Sequence, residues 1–239
     1  MNKDAHPKDA RNLPDPYRNF WRYVFRILWE ALTLRFRKQP FPMTQTEARL
    51  CLAALKGETL EVTKALRNGA NPNIGAPDNM TPLMAAVQQD NVEIVKLLLE
   101  AGADVNLQEK GSGVTALSLA CHAGKTANVA ALIAAGADLN RPTRVGNTPL
   151  MQAIGFYHTE AALLLISSGA DVNYVTKTGN TALMCAARRG HDDIVRELIA
   201  HNARTDIRNS EGNTALELAK QRGHTQAARI IESADRAVQ

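Results

Sequence analysis

The stretch GADVNYVTKTGNTAL, residues 169–183, contains two short phrases that recur along the chain at a fixed interval. The phrase Thr-[Pro/Ala]-Leu occurs five times, beginning at Thr81, Thr115, Thr148, Thr181 and Thr214. Successive copies are therefore 34, 33, 33 and 33 residues apart. The phrase Gly-Ala-Asp-Val-Asn, or a variant of it, keeps the same phase and begins at Gly69, Gly102, Gly136, Gly169 and Asn202. Two phrases that share one period over five copies indicate a stacked repeat array.

Each position in these phrases has a local physical role in a helical unit. Threonine is a good N-cap, and proline at the first helical position loses no needed hydrogen bond. The leucine is expected to face the core, and an alanine five residues after each threonine allows two helices to approach closely. Glycines suited to a left-handed residue follow this first helix at Gly57, Gly124, Gly190 and Gly223. A second helix follows, with apolar side chains three and four residues apart.

On these residues, the chain from about 45 to 239 resembles the ankyrin-repeat family. The period, the Thr-Pro-Leu-x-x-Ala phrase and the Gly-Ala-Asp-Val-Asn phrase carry the resemblance over roughly four-fifths of the chain. The resemblance implies an all-α fold, an ankyrin-repeat solenoid of about six helix–turn–helix units with β-turn fingers. It also implies a curved array whose concave side usually binds other proteins.

We predict a leader at residues 1–43 followed by a repeat domain at residues 44–239. The repeat units are expected at about 44–78, 79–112, 113–145, 146–178, 179–211 and 212–239. The first unit lacks the Thr-Pro-Leu phrase and opens on a capping-box pattern, Thr44 to Glu47, while the last has a polar outer face. We therefore expect four internal repeats between two capping units, which together form a whole array.

The leader differs from the repeats in charge. Residues 1–45 contain nine Lys/Arg and four Asp/Glu, a net charge of +5, whereas the remaining residues contain 19 and 20, a net charge of −1. Because the basicity belongs to the leader, we expect no nucleic acid among the partners of this protein.

The leader is predicted to contain one amphipathic helix, at about residues 17–37. A narrow polar stripe, spaced three or four residues apart, consists of Arg18, Arg22, Arg26, Glu30, Thr33 and Arg37. The opposite, apolar face includes Phe20, Trp21, Phe25, Leu28, Trp29 and Leu32. Charges near the helix centre argue against a bilayer span. Three alternatives stay open: the apolar face contacts an anionic membrane through residues 17–38, packs on this solenoid, or binds a partner.

Departures from the repeat pattern point to a binding site in the fourth and fifth units. Asp90 and Tyr157 stand where other units have the helix-ending glycine, and Phe156 precedes Tyr157. We expect Asp90 to tolerate the left-handed conformation of that position, and Tyr157 to adopt it at a cost of about 1 kcal/mol. Aromatic and arginine side chains dominate binding hot spots. The candidate partner-binding residues are Arg144, Phe156, Tyr157, Lys177, Arg188 and Arg189. The positive charge of the arginine and lysine residues in this set favours a partner with an acidic surface. The competing hypothesis is that the aromatic rings fold onto their neighbours and the arginines form a solvated face.

The sequence offers no pattern for catalysis, for a cofactor or for a metal. The three cysteines, Cys51, Cys121 and Cys185, are widely spaced, as expected for small buried residues in a reducing compartment. His158, His191 and His224 share one repeat phase, which is typical of helix starts in such arrays. We therefore predict that the protein is not an enzyme and needs no cofactor.

The preferred functional hypothesis is a cytoplasmic protein–protein interaction adaptor whose leader helix sets its location, including a peripheral position at the inner membrane face. The alternative is a peripheral membrane protein whose basic, aromatic leader helix binds anionic lipid as its primary activity.

Overall fold

The computed structural model describes residues 43–75 and 79–237. The predicted leader helix and its apolar face, Phe20, Trp21, Phe25, Leu28, Trp29 and Leu32, lie outside these residues. The described part of the chain is all-helical, with twelve helices and no strand. The predicted all-α repeat fold is thus confirmed for this part.

The helices alternate in two rows. They are α1 (Gln45–Lys56), α2 (Thr59–Arg67), α3 (Pro82–Ala86), α4 (Val92–Glu100), α5 (Ala116–Ala123), α6 (Thr126–Ala134), α7 (Pro149–Gly155), α8 (Thr159–Ser167), α9 (Ala182–Arg189), α10 (Asp192–Ala200), α11 (Ala215–Gln221) and α12 (Thr225–Ala237). Each consecutive pair forms one helix–turn–helix unit, from unit 1 (α1 and α2) to unit 6 (α11 and α12). Odd-numbered helices contact the odd-numbered helices of the next unit, and even-numbered helices likewise contact their counterparts. Two parallel rows of helices result, as in a solenoid.

Threonine starts the first helix of units 2 to 6 in the way the sequence predicts. In each case the threonine hydroxyl accepts a hydrogen bond from the backbone N–H three residues later, at 3.2 or 3.3 Å. In units 3 and 6 the third helical residue, Ser118 or Glu217, also accepts from the threonine N–H, which completes a capping box. Two of the helix's unpaired N–H groups are satisfied locally in these units.

The helix-ending glycines adopt the left-handed conformation that their position requires. Gly57, Gly124, Gly190 and Gly223 have φ between 67° and 75°, and Tyr157, which takes the same place in unit 4, has φ 65°. The expectation that Asp90 would tolerate this conformation is not realised, because Asp90 has no positive φ. In unit 2 the helix α3 ends after five residues, and Val87 caps it in a right-handed conformation. The turn that follows therefore needs no left-handed residue at Asp90.

A row of asparagines links successive units. Asn106 Oδ1 accepts from the Asp138 N–H at 2.8 Å, and Asn140 and Asn173 make the corresponding bond to Asp171 and to Arg204. Each of these bonds joins residues 31 or 32 positions apart, so the Asn of the Gly-Ala-Asp-Val-Asn phrase connects one unit to the next.

Histidines at the starts of the second helices form another connection between units. His158 Nε2 donates to the carbonyl oxygen of His122 at 2.9 Å, and His224 Nε2 donates to that of Arg188 at 3.1 Å. The imidazole lies so close to the preceding unit's glycine that a Cβ at Gly124 would meet His158 Nδ1 at 2.3 Å. At these places glycine is required both by its φ and by the histidine.

Hydrogen-bonded turns between units form the fingers. In the last three fingers an i→i+3 turn begins at Thr143, Thr176 or Asn209, with N···O distances of 2.8 or 2.9 Å. Neighbouring fingers are joined through the backbone, since the Arg144 N–H donates to Ser112 at 2.8 Å. Among the described residues, no helix is both long and apolar enough to cross a membrane.

Candidate partner-binding site

Phe156 and Tyr157 lie on the surface directly after the end of α7. Phe156 is the C-cap residue of the helix and is 40% exposed. Tyr157 follows with φ 65° and is 41% exposed. A tyrosine in this left-handed region costs about 1–2 kcal/mol relative to glycine. The chain thus holds Tyr157 in the position where units 1, 3, 5 and 6 have a glycine, with the second large ring, Phe156, directly before it.

The two rings contact the units on either side of their own. The Phe156 ring meets the His122 ring of unit 3 edge-on, with the centroids 4.0 Å apart. The Tyr157 ring lies against His191 of unit 5, with a centroid separation of 4.4 Å. The guanidinium carbon of Arg189 lies 5.1 Å from the Tyr157 centroid, within cation–π range. One continuous surface therefore crosses units 3, 4 and 5.

The arginines at the end of α9 supply the positive charge of this surface. Arg188 is exposed and Arg189 is half-buried, and both belong to the last turn of the helix. Cations near a helix C-terminus are favoured by the helix dipole. Within the described residues neither guanidinium makes an ion pair with a carboxylate. The charge of both groups is therefore available to a ligand.

Arg144 and Lys177 lie in the fingers, apart from the helix ends. Arg144 is bound to the finger before its own, because its guanidinium Nη2 donates to the Lys110 carbonyl. Lys177 is exposed in the turn that begins at Thr176. Of the six sequence-predicted residues, the structure joins Tyr157 and Arg189 directly, while Arg144 is joined to the neighbouring finger. We call Phe156, Tyr157, Arg188 and Arg189 the aromatic–arginine patch.

Two further members of this surface, His122 and His191, are not predicted as binding residues from the sequence. His122 precedes the glycine position in unit 3, and its pairing with Phe156 depends on the stacking of units, which no phrase in the sequence encodes. His191 shares the phase of His158 and His224, so the repeat pattern assigns it the same bond to the unit before. The signal that could have singled it out is Tyr157, since a ring there occupies the space that glycine leaves open elsewhere.

His191 differs from its two counterparts in its hydrogen bonding. Its Nε2 is buried, and within the described residues it has no hydrogen-bond partner. Burial lowers the pKa of His191 below its ordinary value of 6.5, a backbone interaction at Ile154 opposes this shift, and the charge of Arg189 adds to it. The imidazole is therefore neutral at pH 7.

The cysteines are not poised for reaction. Cys121 is fully buried, and Cys51 and Cys185 are half-buried free thiols. Burial raises the pKa of Cys51 to about 12, and it also raises the pKa of Cys121 and of Cys185. A thiol with a raised pKa carries little of the reactive thiolate at pH 7. No cluster of three metal-ligating side chains occurs in residues 43–75 and 79–237.

Comparisons with known proteins agree on the repeat. The family model for ankyrin repeats (three copies) matches residues 50–143, 101–176 and 150–236. The chain is 41% identical over 97 residues to ankyrin repeat and KH domain-containing protein mask-1 of Caenorhabditis elegans, which covers 41% of this chain and 4% of that protein. It is also 32% identical over 142 residues to human SH3 and multiple ankyrin repeat domains protein 2. This match covers 58% of this chain and 7% of that protein. The chain thus spans a small part of the length of these relatives.

A solved structure has the same fold. It is a chain from the complex of Bd0816, a predatory endopeptidase from Bdellovibrio bacteriovorus, with immunity protein Bd3460. The TM-score is 0.70 at 28% sequence identity, and the match covers 80% of this chain and 98% of that one. Family model, relatives and helix arrangement lead to one conclusion: the chain belongs to the ankyrin-repeat family.

Proposed function

We propose that this protein is a non-enzymatic adaptor that binds a protein partner through the aromatic–arginine patch, with Arg144 and Lys177 at its finger side. Ankyrin repeats generally mediate protein–protein interaction, and the matched solved chain comes from a complex of two proteins. Both facts support a partner of the same class for this chain. The exposed aromatic residues and the two arginines of the patch indicate which residues bind this partner.

The observation that carries this proposal is the conformation of Tyr157. Units 3 and 5 place glycine here, and the histidine of the next unit then reaches a backbone carbonyl. In unit 4 the chain accepts a left-handed tyrosine, and the Nε2 of His191 lacks the hydrogen bond that its counterparts make. Backbone strain at an exposed aromatic residue is explained most simply by a role in binding.

Charge favours an acidic surface on the partner. Arg189 lies beside the Tyr157 ring, Arg188 precedes it in the same helical turn, and Phe156 and Tyr157 are each about two-fifths exposed. A partner that places apolar atoms on the rings and a carboxylate on a guanidinium would use both parts of the patch. Arginine is suited to this role because its planar group binds carboxylates with two parallel hydrogen bonds.

The test compares partner binding by Phe156→Ala and Arg188→Ala with that of the unchanged protein. Proteins retained by the full chain are identified by mass spectrometry, and affinity for the retained protein is then measured. We expect each substitution to weaken binding about tenfold or more, as for hot-spot residues. Leu60→Ala is the matched control, because Leu60 is exposed in unit 1, away from the patch. If both patch variants retain the same partners as the unchanged protein, the patch is not the binding site.

For the leader we propose that residues 17–38 set where the adaptor acts by contacting anionic lipid. The support is compositional: the segment combines aromatic residues such as Trp21 and Trp29 with Arg22, Arg26 and Arg37. The full chain and a variant without residues 1–43 are compared in flotation with vesicles that contain, or lack, anionic lipid. Equal flotation of both proteins would exclude this role, and lipid binding without any protein partner would favour the alternative function.

A further inference from the structure

A cleft borders Tyr157 on the side of unit 3. Its volume is about 290 Å³, and its walls include Gly124 and Thr126 of unit 3 together with Tyr157, Thr159 and Glu160 of unit 4. The contacts of Tyr157 with His191 and Arg189 are with unit 5. The same tyrosine therefore separates the positively charged patch from this second surface.

Glu160 is the charged group of the cleft wall. It is exposed in the first turn of α8, and within the described residues its carboxylate makes no ion pair. In unit 5 the corresponding acid, Asp193, is paired with Arg196 three residues later, at 2.8 Å. Unit 4 has Leu163 where Arg196 would stand. The charge of Glu160 thus lacks the neutralising neighbour that its counterpart has.

The other ionisable groups near the cleft are already engaged. Lys125, between the wall residues Gly124 and Thr126, pairs with Asp90 of unit 2 at 2.7 Å. His158 donates through Nε2 to the His122 carbonyl. The N-terminus of α8 contributes a partial positive charge, which the first-turn carboxylate of Glu160 offsets. What remains is a carboxylate, a tyrosine ring and threonine hydroxyls, a set that suits a cation.

We propose that this cleft receives a lysine or arginine side chain of the protein partner. The inference rests on the proposed function, and it adds a charge pattern to the partner: an acidic residue for Arg188 and Arg189 and a basic residue for the Glu160 cleft. The cavity is large enough for a guanidinium and its aliphatic stem, whose methylene groups lie against the tyrosine ring. Such a bipolar pattern selects against partners that are acidic only.

The test uses amide chemical shifts of the full chain during titration with N-acetyl-arginine methylamide. We expect shifts at Thr126 and Glu160 in the unchanged protein. Glu160→Gln and Leu163→Arg should each weaken this binding about fivefold, the former by removing the charge and the latter by pairing it internally. Asp193→Asn is the matched control, because this carboxylate is already paired with Arg196, and it should leave binding of the arginine probe unchanged.

Two results would overturn the inference. One is that the arginine probe changes amide chemical shifts only at residues outside the cleft. The other is that Glu160→Gln and the unchanged protein bind the probe with equal affinity. If Leu163→Arg fails to fold, which its circular dichroism would reveal, the Glu160→Gln comparison alone decides. A negative result with the arginine probe, combined with partner binding that still depends on Phe156 and Arg188, refutes the cleft and leaves the adaptor proposal standing. Loss of that dependence refutes the adaptor proposal itself.

Discussion

The guanidinium carbon of Arg189 lies 5.1 Å from the centroid of the Tyr157 ring, which joins units 5 and 4 through a cation and an aromatic ring. Arg189 belongs to the last turn of α9, and Tyr157 lies just beyond the end of α7, at the position where units 1, 3, 5 and 6 have a glycine. Because His191 lies against the same ring, two side chains of unit 5 contact Tyr157. This arrangement presents the ring to solvent in a fixed orientation, which reduces the entropy that a partner must overcome on binding.

Tyr157→Gly should separate stability from binding. Glycine relieves a left-handed strain of about 1–2 kcal/mol, while the lost cation–π and ring contacts were worth about 0.5–1 kcal/mol. The free energy of unfolding should therefore stay within about 1 kcal/mol of that of the unchanged protein, as measured by urea unfolding. Partner binding should fall at the same time. A loss of stability above about 2 kcal/mol would mean that Tyr157 serves the fold.

Gly124→Ala should destabilise the protein more than Gly57→Ala. Both glycines have a positive φ, 67° and 75°, so each alanine carries a strain of about 1–2 kcal/mol. Only at Gly124 would the new Cβ meet another side chain, His158 Nδ1 at 2.3 Å, whereas Gly57 has no atom within 4 Å. We expect the Gly124 variant to lose about 1 kcal/mol more, through the histidine bond to His122. Equal urea midpoints for the two variants would contradict this explanation.

Stability should decrease as the pH falls below about 6.5, in part because of His191. Burial lowers the pKa of this imidazole in the folded protein, so the unfolded chain binds the proton first. The stabilising contribution is complete above the ordinary pKa of 6.5 and is lost as the pH falls from there through the folded-state pKa. His191→Asn removes the titration and supplies a good N-cap for α10. The difference in unfolding free energy between pH 7.5 and pH 5 should be smaller in this variant, and an equal difference would refute the assignment.

Glu109→Ala should loosen the finger at residues 109–113. Glu109 is 8% exposed, and its carboxylate accepts from the Ser112 N–H at 2.5 Å, from the Ser112 hydroxyl at 2.6 Å and from the Gly111 N–H. Its loss leaves three donors without an acceptor, and we expect the free energy of unfolding to fall by about 1–3 kcal/mol. Lys110→Ala, an exposed substitution in the same finger, should stay within about 0.5 kcal/mol. Hydrogen exchange at the Gly111 and Ser112 amides should accordingly be faster in Glu109→Ala than in Lys110→Ala.

Features that depend on near neighbours in the chain were predictable from the sequence. The threonine caps and the left-handed glycines involve residues three or four positions apart, and the structure confirms them. Asp90 was the wrong part of this prediction, because α3 ends early and Val87 already turns the chain. The repeat phrase does not indicate that α3 ends early with a right-handed C-cap residue, so this helix end could not be predicted.

Features that depend on the stacking of units could not be predicted from the repeat pattern. Phe156 and Tyr157 were recognised as departures from the repeat, but their partners His122 and His191 lie 34 residues away in neighbouring units. The 34-residue interval between Thr81 and Thr115 indicates one extra residue in this finger, but the repeat pattern does not show that the Glu109 carboxylate organises the turn. The two competing hypotheses for the rings both describe part of the outcome, since the rings pack on neighbours and stay about 40% exposed. Their role in partner binding remains a prediction.

The most direct test of the adaptor proposal is quantitative affinity capture with three forms of the full chain: the unchanged protein, Phe156→Ala/Tyr157→Gly, and the control Leu60→Ala/Val175→Ala. The control removes two exposed apolar side chains outside the patch. We predict that one set of partners is retained equally by the unchanged protein and the control, and is reduced about tenfold or more by the patch variant. Equal retention of every partner by all three forms would contradict the proposal.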